Sequence, residues 1–389
     1  MPAAPVPEDV RQEEQLLAER KADSTSELER QLQEAAVEQR MGVLLQLADL
    51  SSARAIEIID RNIDSISDRP TLLNAAASKA GVDARALLMR AVDTWGPDAG
   101  HPIERLHYAF DPGIAPDLRA RLAKNPPDGA RRAIQMELIR LKEPRAIAEL
   151  RREIAAANPR TSEDAQQAID LLSRASESVE LAADVGRLFR RVDEIHRQLK
   201  QYAAGVALWL GDRESAEHVI DLLASPGSGS FNYPGLHSLE DLLKRHTKQA
   251  FARPEEWKAW WTSAGRRTPL FTVHVPPEDE SGIINAVVAW GSTIQEPVVY
   301  LQDESKYLSG RQRIRAGLDA GIRMYTAREI SLLQKDPFSV SDIETNGEAA
   351  FATFGDGANA MNWRLKRVEL ARQNGVWHVV RVAEEFPVQ

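Results

Sequence analysis

The chain has 389 residues, a length that at about 150 residues per domain predicts two domains or three. Its 49 Lys and Arg face 58 Asp and Glu, a net charge of -9, which is the wrong sign for a protein that binds a polyanion. Cysteine is absent, so disulfides, thiol nucleophiles, thiolate zinc sites and iron-sulfur clusters are excluded, and a metal would have to be held by His and carboxylates.

Residues 1–40 hold 5 basic and 10 acidic side chains, so much of the excess acidity lies in an N-terminal arm. Within it Ser26 and Glu29 have capping-box spacing ahead of Leu28, Leu32, Ala35 and Ala36, which predicts one or two amphipathic helices. The Pro/Ala-rich start, Pro2 to Pro7, resembles the segment that follows a cleaved signal peptide, so export stands beside the cytoplasm as an expected location. No run approaches 18 consecutive apolar residues, and no membrane span is expected.

Residues 41–265 are patterned as helices almost throughout, with breaks at Pro70, Gly81, Gly96-Pro97, Pro126-Pro127, Pro144, Pro159 and Pro226-Gly227. Three segments resemble one another. Leu44 to Asp49 leads into Ala55 to Ile59, Leu138 to Pro144 into Ala146 to Leu150, and Ala207 to Asp212 into Ala216 to Ile220. Each reads as a helix end, a short turn with an acidic residue, and a second amphipathic helix. From Leu47 to Leu141 is 94 residues and from Leu141 to Leu210 is 69. Each is roughly two periods of the 34–47 residues usual in helical repeats. This part resembles HEAT-like repeat proteins, best over residues 203–261, where the Leu210-Gly211-Asp212 turn precedes His237 to Leu243 and the Trp-rich ending Pro254 to Trp261. The resemblance implies an α-helical solenoid that presents a surface to protein partners.

After the joint Arg266 to Pro269, residues 281–320 still read as helices, and period-two alternation follows. Ile322 to Gln334, Phe338 to Ile343, Glu348 to Phe354, Trp363 to Arg372 and Val376 to Ala383 are the predicted strands. Asn346-Gly347 and Asn374-Gly375 lie between consecutive strands, where a type I′ turn needs positive φ at both positions. Four stretches carry a further resemblance: Val287 to Trp290, Tyr307 to Arg311, Glu348 to Phe354, and the terminal hairpin Arg367 to Val380. They resemble the nuclear transport factor 2-like family, which includes ketosteroid isomerase-like and SnoaL-like proteins. It implies a small α+β cone with a curved antiparallel sheet that can serve as enzyme, carrier or dimerisation module. The predicted architecture is therefore multidomain: an arm at 1–40, a HEAT-like solenoid at 41–265, a linker at 266–280 and the α+β domain at 281–389.

Several side chains are candidates for function. Trp257, Trp260 and Trp261 project from one side of a helix that Pro254 can start, either as a plug for the solenoid core or as a partner contact. The Gly/Pro/Ser loop Ser225 to Gly235 lacks the preceding strand and Gly-Lys-Ser/Thr ending of a phosphate loop, and reads as a long loop whose Phe231 and Tyr233 can contact a partner. Arg187, Arg190, Arg191, Arg197 and Lys200 form a basic helical patch interrupted by Asp184, Asp193 and Glu194, which reads as a solvated or salt-bridged helix face. The eight His form no metal motif, and no hydrolase elbow occurs. The ketosteroid isomerase-like resemblance implies a carboxylate base and a tyrosine or acid oxyanion donor inside the cone, chemistry that Tyr307, Tyr325, Asp303 and Asp336 have, although none sits in a catalytic motif. His378 shares a strand face with Val376, Val380 and Val382 and is expected to point inward, while Trp363 and Trp377 read as core. No catalytic residue, cofactor or metal is assigned and no nucleic acid is expected.

The expected function is non-enzymatic: a scaffold that binds protein partners through its helical surface, with docking or homodimerisation through the C-terminal domain. The alternative is a ligand-binding or enzymatic cone tethered by the solenoid.

Overall fold

The computed structural model describes residues 8–80, 84–95, 100–103, 106, 112–159, 162–192, 197–224, 238–291, 299–302, 314, 317–319, 321–325, 327–335, 337–356 and 364–386. The chain is mostly helical and ends in a mixed sheet. It divides into two compact units that do not follow chain order. The first holds residues 1–137, 277–342 and 351–389, and the second holds 138–276 and 343–350.

In the first unit the arm is one continuous helix, α1 (Glu8–Glu34). Ser26 does not cap a helix start, because its hydroxyl donates back to the Ala22 carbonyl (3.0 Å) and Thr25 does the same to Lys21 (2.7 Å), which satisfies both hydroxyls inside the helix. There follow α2 (Val37–Asp49), α3 (Ala53–Asn62), α4 (Arg69–Ala80), α5 (Arg85–Thr94), α6 (Gly100–Ile103), α7 (Ala115–Leu122) and α8 (Asp128–Arg140), the last of which ends in the second unit. Their apolar stripes bury Leu44, Leu47, Ile59, Leu72, Leu73, Leu87 and Leu88.

The second unit continues with α9 (Pro144–Ala156), α10 (Ser162–Ala175), α11 (Ala182–Arg191), α12 (Arg197–Trp209), α13 (Glu214–Leu223), α14 (Leu239–Thr247) and α15 (Pro254–Ser263). The three similar sequence segments share one turn chemistry. In each, a residue with left-handed φ (Ser51 52°, Lys142 54°, Gly211 89°) is followed by one whose side chain caps the next helix. Ser52 accepts from the Ala55 amide (3.2 Å), Glu143 from Ala146 (2.6 Å) and Asp212 from Ser215 (3.1 Å). At the third turn α11 approaches so closely that a Cβ on Gly186 would lie 2.7 Å from an Asp212 carboxylate oxygen.

The C-terminal part of the first unit has α16 (Pro277–Gly291), β1 (Val299–Gln302), β2 (Ile322–Tyr325), α17 (Ala327–Leu333), β3 (Pro337–Thr345), β4 (Ala349–Asp356), β5 (Arg364–Gln373) and β6 (Val376–Phe386). The residues 343–350 at the β3–β4 turn belong to the second unit. The sheet order is β2-β1-β3-β4-β5-β6, with β1 parallel to both β2 and β3 and β5 antiparallel to β6. This is an open mixed sheet rather than the antiparallel one expected. Two stretches account for the difference. Val299 to Gln302 lie in a region with a helical pattern yet form a strand between β2 and β3, and the expected strand Ile322 to Gln334 is a short strand followed by a helix. Ile330 and Leu333, three apart on α17, are buried together, which is helical and not period-two spacing.

The other four strands form where expected. Asn374 (φ 51°) and Gly375 (φ 82°) make the β5–β6 turn with positive φ at both positions, as a type I′ turn requires. The β3–β4 connection is different: only Gly347 has positive φ, and the Asn346 side chain accepts from the amides of Glu348 (3.0 Å) and Ala349 (2.7 Å).

Candidate interaction site

Trp257 and Trp261 of α15 form part of the second unit's core. Trp257 is 1% and Trp261 4% exposed, and Phe251 meets Trp257 edge-on with centroids 5.0 Å apart. The Trp261 indole N–H donates to Glu217 (3.3 Å), and Trp260, half-buried, tilts against its ring. Two of the three indoles of this stripe, Trp257 and Trp261, are therefore buried within the second unit. Phe231, Tyr233 and Tyr307 lie outside the described residues, as do Trp363, Asp303 and Asp336.

Three cations of the basic helix face have partners. Arg187 bonds Asp184, Arg190 lies 3.0 Å from Glu214, and Arg191 donates to the carbonyls of Ile154 (2.8 Å) and Ala155 (2.9 Å) at the end of α9. These cations cap and tie neighbouring helices.

Tyr325 and His378 do not share a site, because β2 and β6 are the two opposite edges of the sheet. Tyr325 stacks on Tyr300 (centroids 6.4 Å, planes 21° apart), and its phenol is held well above the usual value by burial first and by the Glu13 carboxylate second. The N-terminal helix covers this edge. Arg323 pairs with Asp9 and Glu13, Lys21 with Glu329 (2.6 Å), and Leu17 packs with Tyr300, Ile330 and Leu333. Sequence pattern does not disclose this cluster, since its partners stand some three hundred residues apart.

Two buried His in the second unit are also perturbed. Burial lowers His246 to about 4, and its Nδ1 lies 2.5 Å from the Phe271 carbonyl, which can only accept, so that Nδ1 carries the hydrogen. His274, lowered chiefly by burial, meets Trp209 edge-on at 5.6 Å. Beside His246, the carboxylate of Glu344 is buried between Arg245 (2.5 Å) and Lys248. Among the described residues no three His, Asp or Glu side chains are grouped as a metal site would require.

His378 lies on the outside of the sheet, contrary to its expected inward position. Trp377 takes the inner side, where it meets Gly282 of α16 and its indole N–H donates to Asp279 (3.4 Å). Because successive residues of a strand alternate, burial of the large indole turns Val376 and His378 outward. The pairing register then skips Val380 and Ala383, so Val382 faces fully buried Val368 and does not share the His378 side.

The resulting outer face of β5–β6 is the most distinctive exposed surface. Val376 and Val380 are each 57% exposed and Leu365 39%, three of the seven large apolar side chains exposed among the described residues. Beside them Arg381 pairs with Glu369 (2.6 Å), and Arg367 stacks on Phe351 at 5.5 Å. The hairpin turn and the Trp377 anchor position this face; its signal in the sequence is the alternation of β6, in which Trp377 and Val382 lie inward as expected while Val376, His378 and Val380 face outward. No helix among the described residues is long and apolar enough to cross a membrane. The chain matches no protein-family model, no curated protein and no solved structure.

Proposed function

We propose that this protein is a non-enzymatic scaffold that binds protein partners, with a HEAT-like helical array and a nuclear transport factor 2-like C-terminal domain whose outer β5–β6 face is the docking surface. The observation that carries the reading is the exposure of Val376, Val380 and Leu365 on one side of a hairpin whose other side is packed against α16. Apolar surface left on a folded domain marks contact sites, because removing it from water favours association. The recurrence of one capped turn at Ser51-Ser52, Lys142-Glu143 and Gly211-Asp212 supports a repeat origin for the helices.

The test is a benzophenone side chain placed at position 378 of the full chain, with the same group at exposed position 145 as control, irradiated in extract of the native source. The expected result is a discrete protein adduct at 378 that the control does not form. Equal labelling at both positions, or none, overturns the reading.

A further inference from the structure

We infer that Asn374 is a site of self-modification in the folded chain, where its side-chain amide is converted without an enzyme to aspartate and isoaspartate, while the turn around Asn346 protects that residue from the same reaction. Asn346 and Asn374 are the two Asn in the sequence that precede Gly. The reaction needs water and a base. Once its proton has been taken, the Gly375 backbone nitrogen attacks Cγ of Asn374, and glycine leaves this nitrogen without a flanking side chain. The new N–Cγ bond closes a five-membered succinimide, and the Cγ–Nδ2 bond breaks to release ammonia. Water then opens the ring. Cleavage between N and Cγ leaves aspartate; cleavage between N and the main-chain carbonyl leaves isoaspartate, with the backbone rerouted through the side chain. Nothing is oxidised or reduced.

The two turns treat this chemistry differently. At the β5–β6 turn Asn374, Gly375 and the flanking residues 372, 373 and 376 are all exposed. Among the described residues neither the Asn374 side chain nor the Gly375 N–H makes a hydrogen bond. Only the end pair Gln373–Val376 holds the turn, and an exposed hairpin end opens at little cost. At the β3–β4 turn the Asn346 carbonyl oxygen accepts from the amides of Glu348 (3.0 Å) and Ala349 (2.7 Å), which holds Cγ in place. The nitrogen that would attack is engaged as well, since the Gly347 N–H donates to Thr345 Oγ1 (3.0 Å). Thr345 is fixed in turn by paired backbone bonds with Thr272 (2.8 and 3.0 Å). Reaction at Asn346 must first break the three bonds to its side chain and to Gly347, so Asn374 is expected to convert at least about 10-fold faster. The aspartate product suits the turn, because Asp-Gly also takes type I′ geometry. The isoaspartate product lengthens the main chain by one methylene, so Gln373 and Val376 no longer close the hairpin in register. The site is independent of the reading of the β5–β6 face as a docking surface.

The test incubates the folded full chain in mildly alkaline buffer at body temperature, with the chain unfolded in guanidinium setting the time scale. Peptide mass spectrometry follows the amide-to-acid mass gain at positions 346 and 374, and electron-transfer fragmentation distinguishes isoaspartate from aspartate. Labelling by an isoaspartate-specific carboxyl methyltransferase gives a second readout. In the folded chain the gain is expected at 374 and not at 346, and in guanidinium at both. Asn374→Gly keeps a turn-compatible pair, as thermal melts check, and is expected to abolish the methyl label of the folded chain. No gain at 374 in the folded chain by the time the unfolded chain has converted, or an equal or faster gain at 346, overturns the inference.

Discussion

The Tyr300 hydroxyl donates to the Glu13 carboxylate at 2.8 Å, joining the first helix to a strand 287 residues further along the chain. The same carboxylate pairs with Arg323, whose side chain is only 11% exposed. Removing Glu13 leaves the largely buried Arg323, among the described residues, with only the exposed Asp9 to balance its charge. Glu13→Ala is therefore expected to destabilise the first unit by about 3 kcal/mol, and Glu13→Gln, which keeps an acceptor, by less. Urea unfolding followed by near-ultraviolet signal from the tyrosines measures the difference; equal stability of native and Glu13→Ala chains would contradict it.

Removal of residues 1–40 follows the same logic on a larger scale. The deletion uncovers Tyr300, Ile330 and Leu333 by taking away Leu17, and it leaves Arg323 and Glu329 without Glu13, Asp9 and Lys21. The expected outcome is a lower melting temperature and greater binding of a hydrophobic dye, with a Tyr325 phenol that titrates closer to its ordinary value once burial and Glu13 no longer raise it. An unchanged tyrosine titration would show that the helix does not cover this edge.

His246 sets a pH dependence. Its folded value, about 4, lies below the ordinary 6.5, so between these limits the unfolded chain binds the proton more readily. The contribution is intact above pH 6.5 and is lost as pH falls from there toward 4, by up to about 3 kcal/mol, with no further loss from this group below 4. In His246→Gln the loss of stability over that window is expected to shrink. Urea midpoints at about pH 7.5, 5.5 and 4.5 for both chains, which bracket the window, test it, and parallel curves would assign the acid sensitivity elsewhere.

Two tryptophans of one helix are predicted to differ. Trp257 is buried almost completely, so Trp257→Ala should cost about 3–5 kcal/mol, while the half-buried Trp260 costs less on the same change. A partner-contact role for the stripe would instead show as lost binding with little change in the unfolding midpoint.

Two glycines give opposite expectations. A Cβ at Gly186 meets the Asp212 carboxylate that caps α13, so Gly186→Ala forces the turn apart and destabilises. A Cβ at Gly42, inside α2, meets nothing within 4 Å, and Gly42→Ala is expected to stabilise by about 0.5–1 kcal/mol through helix propensity and unfolded-chain entropy. Thermal melts of the two variants should move in opposite directions.

The features legible in the residue order share a physical scale. Helices from α2 to α15, the four strands β3 to β6 and the Asn374-Gly375 turn follow from periodicity, capping and φ preferences that act within a few residues of the chain. The recurring turn at Leu47, Leu141 and Leu210 is legible for the same reason, because a left-handed residue and a cap are neighbours along the chain. Short elements leave no room for a period to declare itself, as with β1 at four residues and α17 at seven.

Local conformation, and the chemistry that a chain without cysteine cannot perform, are thus written in the residue order. Contacts and exposed faces come from long-range packing instead. That α1 lies on Tyr300 and Arg323, that β1 enters the sheet in parallel between β2 and β3, and that β6 turns Trp377 inward and His378 outward each depend on which distant surface buries a given side chain. Alternation along β6 permits either polarity. Burial of one large indole against α16 chooses between them, and with it places Val376 and Val380 on the side that meets water.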